Sequence, residues 1–265
     1  MPGQVKDIYT HRYLLWGIIR ADLRNRYGAS FFGLFWSVIN PLLLILVYTL
    51  VFGYILDINV GGTTGPQNYG LFLFCGMLPW LAIQDAMQRS SNVIMENRDL
   101  IKQVNFPKLI LPVRCVISAF FHQLIAMFLF VIIILSLGQI PSPLMLGLLV
   151  TIWPLQLLFT LGLTLIISAF SVFYKDMREF TGAFTLLWFF ATPIIFPMGL
   201  IPEKIRIAFF FNPLTPLINL YRSALLGDVM PDPYGFLYFS VFTILLLVVG
   251  WFWFRRMSKD FADLI

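Results

Sequence analysis

The sequence predicts an all-α membrane protein with six transmembrane helices, and its composition is the first reason. The 265 residues are 59% hydrophobic and only 12% charged, with a mean hydropathy of +0.85, whereas soluble domains carry about 25% charged residues. The apolar runs reach the roughly 20 residues that a helix needs to cross a bilayer, and they are too long for barrel strands. Cys75 and Cys115 lie in separate apolar runs, so we expect neither a disulfide nor a metal site.

Six apolar segments qualify as spans, and glycine- and proline-rich turns follow the first and third of them. They are Phe31–Leu56, Tyr69–Arg89, Leu109–Leu137, Leu144–Tyr174, Phe180–Leu200 and Tyr234–Phe254. Between the last two spans, Ile201–Pro233 is cut by five prolines into apolar pieces that are too short to cross. We expect two short re-entrant or outer helices there, which a membrane protein tolerates where other protein or a water cavity covers the backbone.

The basic residues predict the orientation, because Lys and Arg accumulate on the cytoplasmic side of a membrane. If both termini are cytoplasmic, most of the 18 Lys and Arg residues fall inside. The exceptions, Lys204, Arg206 and Arg222, all lie in the broken region. We therefore predict one transmembrane domain over residues 1–265, with a cytoplasmic tail and interface helix (1–30), spans one to five (31–200), outer gate helices (201–233), the last span (234–254) and a second cytoplasmic tail (255–265). The net charge of +5 predicts contact with anionic membrane lipids and no nucleic acid.

A charged stretch on the predicted cytoplasmic side separates the second and third spans. Residues 90–103 fit a short polar helix with Asn92, Glu96, Asp99 and Gln103 on one face. The pair Phe106-Pro107 ends this helix, because a proline moves its predecessor out of helical geometry. One interpretation is a solvated loop with a helix breaker. The other is a rigid surface on which a second protein docks.

The sequence contains no energy-coupling site of its own. There is no Gly-Lys pair and hence no phosphate-binding loop of the G-x-x-x-x-G-K-[ST] type. Carriers driven by ion gradients place ionisable groups deep in their spans, but here only Asp85 and His122 lie well inside one. No arrangement of nucleophile, base or paired carboxylates predicts catalysis. Active transport would thus need a partner, and the rival classes are a gradient-driven flippase, a passive channel and a scaffold without transport activity.

Five stretches, in order along the chain, resemble the permease subunit of ABC-2 type exporters, in particular the branch that exports capsular or O-antigen polysaccharide. They are RADLRNRYGASFFGLFWSVINPLL (Arg20–Leu44), ENRDLIKQVNFPKLILPV (Glu96–Val113), FYKDMREF (Phe173–Phe180), TPIIFP (Thr192–Pro197) and NPLTPLINLYRSALLG (Asn212–Gly227). Lys175 departs from the arginine that is usual in this family but keeps its charge.

The resemblance implies a bacterial inner-membrane permease that pairs with a second copy of itself and with two cytoplasmic ATPase subunits. ATP and Mg²⁺ would bind to those partners, and this chain would hold no cofactor. Tyr9–Tyr27 would be an amphipathic interface helix, with Leu15 and Ile19 on its apolar face. The segment Glu96–Pro107 would be the coupling helix that sits in the ATPase. Its implied contact residues are Glu96, Asn97, Arg98, Asp99, Leu100, Ile101, Lys102, Gln103, Val104, Phe106 and Pro107.

The cargo implied by the resemblance is a lipid-linked polysaccharide that passes on to periplasmic and outer-membrane export components. The resemblance does not distinguish a capsular polysaccharide from an O-antigen as the cargo, and teichoic acid or a drug remains an alternative cargo. Aromatic rings on the first and fifth spans are one candidate path, and a polar face on the fourth span is another, unless that face only packs closely against other helices. These path residues are Phe32, Phe35, Trp36, Phe184, Trp188, Phe189, Gln156, Thr160, Thr164 and Ser168. A lipid phosphate would lie beside Arg20, Arg24 and Arg26, unless these only follow the positive-inside rule.

Overall fold

A computed structural model describes residues 12–28, 36–58, 66–102, 106–138, 143–227 and 231–264. Within these ranges the chain is helical and contains no strand. The helices before the broken region are α1 (Arg12–Gly28), α2 (Trp36–Tyr48), α3 (Pro66–Ser90), α4 (Val93–Glu96), α5 (Arg98–Ile101), α6 (Ile110–Ser136), α7 (Pro143–Phe170) and α8 (Met177–Phe190). A short 3₁₀ turn (Met198–Leu200), α9 (Glu203–Phe210), α10 (Leu214–Leu226), α11 (Pro233–Met257) and α12 (Phe261–Leu264) follow.

Four of the described helices are long and apolar enough to cross a membrane: α3, α6, α7 and α11. Their bounds lie close to the second, third, fourth and sixth predicted spans. The first span is helical from Trp36 onward, but α2 continues as a π-helix over Thr49–Ile55. Six crossings therefore remain a prediction, whereas the all-helical class is confirmed for the part of the chain that the structure describes.

The fifth predicted span, Phe180–Leu200, needs a correction. Helix α8 begins earlier, at Met177, and ends after 14 residues at Phe190, so it is shorter than the roughly 20 residues of an ordinary span. The reason is the sequence TPIIFP that follows, because each proline lacks the backbone N–H that a continuing helix needs. The region Ile201–Pro233 contains the two short helices α9 and α10, as predicted.

The centre of the bundle is α3, which packs against α6, α7 and α10, while α7 also packs along α11. Two apolar clusters result. The larger one lies between α3, α7, α10 and α11, and the smaller one joins the ends of α7 and α11 to α4, α5 and α12. The smaller cluster lies at one end of the bundle. We call this end the charged end, because Arg89, Arg114, Arg178 and Arg255 lie there.

Candidate functional site

The predicted coupling segment, Glu96–Pro107, lies at the charged end between α3 and α6. The one continuous helix expected over residues 90–103 is wrong, because two single helical turns, α4 and α5, lie within that range. Asn97 separates the turns, because its backbone leaves helical geometry (φ −114°, ψ 28°) and its side chain donates to the carbonyl oxygen of Val93 at 2.7 Å. An asparagine that bonds to nearby backbone competes with helix continuation.

The two turns have a buried apolar side and an exposed charged side. Ile94 and Ile101 are buried in the smaller cluster. By contrast, the side chains of Arg98 and Asp99 are 65% and 91% exposed, and they form an ion pair at 3.8 Å. An ion pair this exposed adds little to the stability of the chain. The charged side thus contributes little to the stability of the fold. Gln103 and Val104 of the same segment lie outside the described residues.

The C-terminal tail holds this segment in place, which the sequence did not predict. Phe261 in α12 is fully buried beside α5 and packs edge-on against Phe254 of α11, with ring centroids 5.7 Å apart. Lys108, just after Pro107, donates to the carbonyl oxygen of Ser258 and lies 5.7 Å from the centroid of the Phe261 ring. The contact joins residues 150 positions apart, so no local sequence pattern reports it.

A second arrangement that sequence reasoning missed attaches α1 to the bundle. The carboxylate of Asp22 pairs with Arg89 at the end of α3 and accepts a hydrogen bond from Ser118 of α6 at 2.9 Å. Burial raises the pKa of Asp22, but the charge and hydrogen bond of Arg89 and the hydroxyl of Ser118 outweigh it, so the net pKa is below its usual value. Ile19 on the same side of α1 is buried. Asp22 therefore stays ionised near neutral pH and joins α1 to α3 and α6.

This ion pair forms part of the wall of a cavity of about 550 Å³ at the charged end. Arg114, Arg178 and Glu179 also line it, together with Asn92 and Glu96 of the region before α5. Of the three predicted lipid-phosphate residues, Arg20 and Arg24 are exposed and do not line the cavity. The side chain of Arg26 lies outside the described part of the structure.

The polar face of the fourth span, α7, does not line a water-filled path in this structure. Gln156, Thr160, Thr164 and Ser168 are all fully buried. Each hydroxyl donates to a backbone carbonyl of its own helix, three or four residues earlier, and the Gln156 amide exchanges hydrogen bonds with Gln123 of α6 and with other buried groups. These side chains are satisfied inside the bundle, so close helix packing, the alternative interpretation, describes this face.

The break after α8 is closed by side chains from three other elements. Asn212 donates to the carbonyl oxygen of Ala191 at 2.9 Å and to the Thr192 hydroxyl at 2.8 Å. Tyr69 of α3 donates to the carbonyl of Ile195 at 2.7 Å, and Arg222 of α10 donates to that of Ile194 at 3.0 Å. The last carbonyls of a helix need such partners when they are buried. The stretches TPIIFP and NPLTPLINLYRSALLG thus act on each other directly.

The predicted rings of the fifth span divide between two sides of α8. Phe180, Phe184 and Trp188 follow one another along the helix, with centroids 6.1 Å and then 5.1 Å apart, and Phe180 and Phe184 are exposed. Phe189 is buried against Trp80 at 5.6 Å, so its assignment to an open path is a correction. On the first span, Phe32, Phe35 and the side chain of Trp36 lie outside the described part of the structure.

The geometry is that of a helical membrane protein with an exposed, charged surface at one end. Comparison with known proteins narrows this class. The profile of the ABC-2 type transporter family matches residues 13–226. The chain is 28% identical to the O-antigen export system permease protein RfbA of Myxococcus xanthus, over 98% of each chain. It is 30% identical to a protein of the same name from Klebsiella pneumoniae over 95% of each, and 23% identical to the polysialic acid transport protein KpsM of Escherichia coli over 86% of this chain and 87% of that protein.

The chain therefore belongs to the ABC-2 type transporter family, and the resemblance drawn from its five sequence stretches is confirmed. The matched range begins in α1 and ends with α10, so it includes the predicted interface helix, the predicted coupling segment and the break after α8.

Proposed function

We propose that this chain is the permease subunit of an ATP-driven exporter that moves a lipid-linked O-antigen or capsular polysaccharide across the bacterial inner membrane. The observation that carries the proposal is the end-to-end similarity to permeases named for O-antigen export, which extends over 95% to 98% of both chains. Two copies of the chain pair, and each copy docks one ATPase subunit, which supplies ATP and Mg²⁺. Both termini are cytoplasmic, and the charged end of the bundle faces the cytoplasm.

The exposed side of α4 and α5 supports this arrangement. Transmission of force needs a surface that is accessible to a partner yet does not yield when pushed. Arg98 and Asp99 supply the accessible part, while Ile94, Ile101 and the contact of Lys108 with the tail fix its base. The charged end then receives motion from the ATPase and passes it to α3, α6 and α11, which all end or begin there.

Deletion of the gene in a strain that makes a surface polysaccharide tests this function. We expect the polymer to disappear from the cell surface and its lipid-linked form to accumulate inside, because synthesis continues while the route out is missing. Wild-type chain supplied together with its ATPase should restore export, and the same chain with an ATPase that cannot hydrolyse ATP should not. Normal surface polymer in the deletion strain would contradict the proposal.

For the path, we propose that the exposed rings of α8 face a channel at the seam between the two copies, opposite the first span. Shallow aromatic contacts of about 1 kcal/mol each let a polymer slide, and conduction requires binding weak enough to release. We expect a cysteine at Phe184 or Trp36 to react with a water-soluble thiol reagent while ATP is hydrolysed. The native Cys75 and Cys115 are buried, which keeps the background low.

The control is a cysteine at Phe252, which lies on α11 and is more exposed than Phe184 (61% against 40%). We assign that side of α11 to lipid, so the Phe252→Cys variant should stay unlabelled. Equal labelling at positions 184 and 252, or none at 184 and 36 during turnover, would rule out the aromatic path.

A further inference from the structure

A second cavity lies at the end of the bundle opposite the charged end, between the short helices α9 and α10 and the first turns of α11. Its volume is about 540 Å³, within the 300 to 1,000 Å³ that is usual for small-molecule sites. The charged, amide and aromatic side chains that line it are Arg206 and Phe210 on α9, Asn219 on α10, and Asp232, Tyr234 and Tyr238 at the start of α11.

Two of the rings that line this cavity are largely exposed. Tyr234 is 82% exposed and Phe210 is 62% exposed. Tyr238 is held in place from behind, because its hydroxyl donates to the carbonyl oxygen of Phe211 at 2.6 Å. Flat apolar rings of this kind can cover the C–H face of a sugar ring through many weak contacts.

The polar groups of the cavity have hydrogen-bonding capacity that the described part of the chain leaves unused. The guanidinium of Arg206 donates through Nη2 to the carbonyl oxygen of Ile201 at 3.0 Å. Its Nε has no partner among the described residues but is buried, so only the outer guanidinium nitrogens can meet a ligand. Asp232 accepts one hydrogen bond, from the backbone N–H of Tyr234 to Oδ1 at 3.0 Å. Although Arg206 and Asp232 line the same cavity, they form no ion pair within the described residues, so both charges remain available to hydroxyl groups.

A glycine keeps this space open. A Cβ atom at Gly235 would lie 2.8 Å from Oδ2 of Asp232 and 3.2 Å from Cβ of Pro216. Any larger residue at this position would therefore push the carboxylate out of its place or fill the wall beside it. The absence of a side chain at position 235 therefore leaves room for the Asp232 carboxylate in its present position.

We infer that this cavity is a binding site for a short stretch of neutral or hydroxyl-rich oligosaccharide at the outer mouth of the permease. Tyr234 and Phe210 stack on sugar rings, while Arg206, Asn219 and Asp232 exchange hydrogen bonds with hydroxyl groups, the combination of flat and polar contacts that a pyranose presents on its faces and its rim. The inference rests on the proposed function, because only a polysaccharide exporter would deliver such a ligand here. The site lies on one copy and is separate from the rings of α8, so it would hold polymer that has already crossed.

The test uses the full chain with its ATPase in lipid nanodiscs, and short fluorescent oligosaccharides released by mild acid from the surface polysaccharide of the strain that encodes the chain. We expect the wild type to bind them. Tyr234→Ala should weaken binding about fivefold through the lost ring contact, and Arg206→Gln about tenfold through lost charge-assisted hydrogen bonds. Gly235→Ala should also weaken binding. Phe236→Ala, an aromatic change on the same turn of α11 that does not line the cavity, should leave binding unchanged.

Binding and export are measured on the same preparations, so the two proposals can fail separately. Active export by the wild type without oligosaccharide binding, or binding that is unaffected by Tyr234→Ala and Arg206→Gln, would overturn the sugar site and leave the exporter standing. A different result is that a lipid with labelled acyl chains quenches the tryptophan fluorescence of the wild type but not of Tyr234→Ala, while the oligosaccharide has no effect. That result would make the cavity a lipid site and likewise overturn the inference. Loss of export in every preparation, with binding retained and dependent on Tyr234, would support the site and count against the transport cycle as proposed.

Discussion

Removing the exposed charges of the coupling segment is expected to abolish export while leaving the chain folded. The variant carries Arg98→Ala, Asp99→Ala and Lys102→Ala. All three side chains are exposed, and among the described residues Arg98 and Asp99 pair only with each other, so their loss removes nothing that holds the bundle together. Protein–protein interfaces usually depend on a few residues that each cost about 2 kcal/mol or more when truncated. One such residue corresponds to about thirtyfold weaker association with the ATPase.

The measurement is twofold: the amount of ATPase that co-purifies with the chain, and ATP-dependent export in the complete system. The control variant is Lys175→Ala, Asp176→Ala and Lys259→Ala, which removes the same charges from exposed positions of the same end of the bundle. It keeps the positive-inside balance equal to that of the test variant, so any effect of charge on membrane insertion cancels. If both variants export alike and retain the ATPase equally, the coupling role of residues 96–107 is wrong.

A single methyl group at Gly250 is expected to destabilise the bundle, because among the described glycines this position has the shortest contact for an added Cβ atom. In α11, a Cβ atom at this position would lie 2.5 Å from the carbonyl oxygen of Gly162 in α7 and 3.3 Å from its Cα. Both neighbours are backbone atoms, so no side-chain rotation relieves the clash and the two helices must separate. Overpacking of this kind costs about 1 to 3 kcal/mol, occasionally more, and small residues are what allow membrane helices to approach so closely.

The measurement is the unfolding midpoint of the purified chain in detergent, where Gly250→Ala should unfold at lower temperature than the wild type. Gly182→Ala in α8 is the matched control, because a Cβ there meets no heavy atom within 4 Å. Alanine also favours a helix over glycine by about 0.5 to 1 kcal/mol, so the control should be unchanged or slightly stabilised. An unfolding midpoint for Gly250→Ala equal to that of Gly182→Ala would show that α7 and α11 do not pack as described.

The sequence predicted helices well where a long apolar run alone decides the structure. The bounds of α3, α6 and α11 agree with the predicted spans within a few residues, because a run that must cross hydrocarbon has to satisfy every backbone group within its own helix. Prolines likewise predicted the two short helices of residues 201–233. The prediction failed for residues 90–103, where a continuous polar helix and a helix interrupted at Asn97 have the same periodicity.

The candidate site was less predictable, because periodicity shows which side chains share a face but not what that face meets. The sequence allowed two interpretations of the polar face of α7: the lining of a water-filled path, or a surface packed against other helices. The hydrogen bonds of Gln156 with Gln123 and Tyr221 favour the packed surface. In the same way, the row of rings on α8 does not indicate that Phe189 turns inward. The roles of the coupling segment, of the exposed path rings and of the phosphate residues remain predictions.

The sequence by itself determined the environment of the protein, because its composition requires lipid around much of the chain. It also determined the family, because the five stretches place the chain among ABC-2 type transporters. The tertiary structure alone decided which distant residues meet. Asp22 pairs with Arg89 across 67 positions, Arg222 closes the break at Ile194, and Lys108 reaches Ser258 across 150 positions. The physical reason is that a helix satisfies its backbone locally, whereas a buried charge or a free carbonyl must find its partner wherever the packing of the helices brings one.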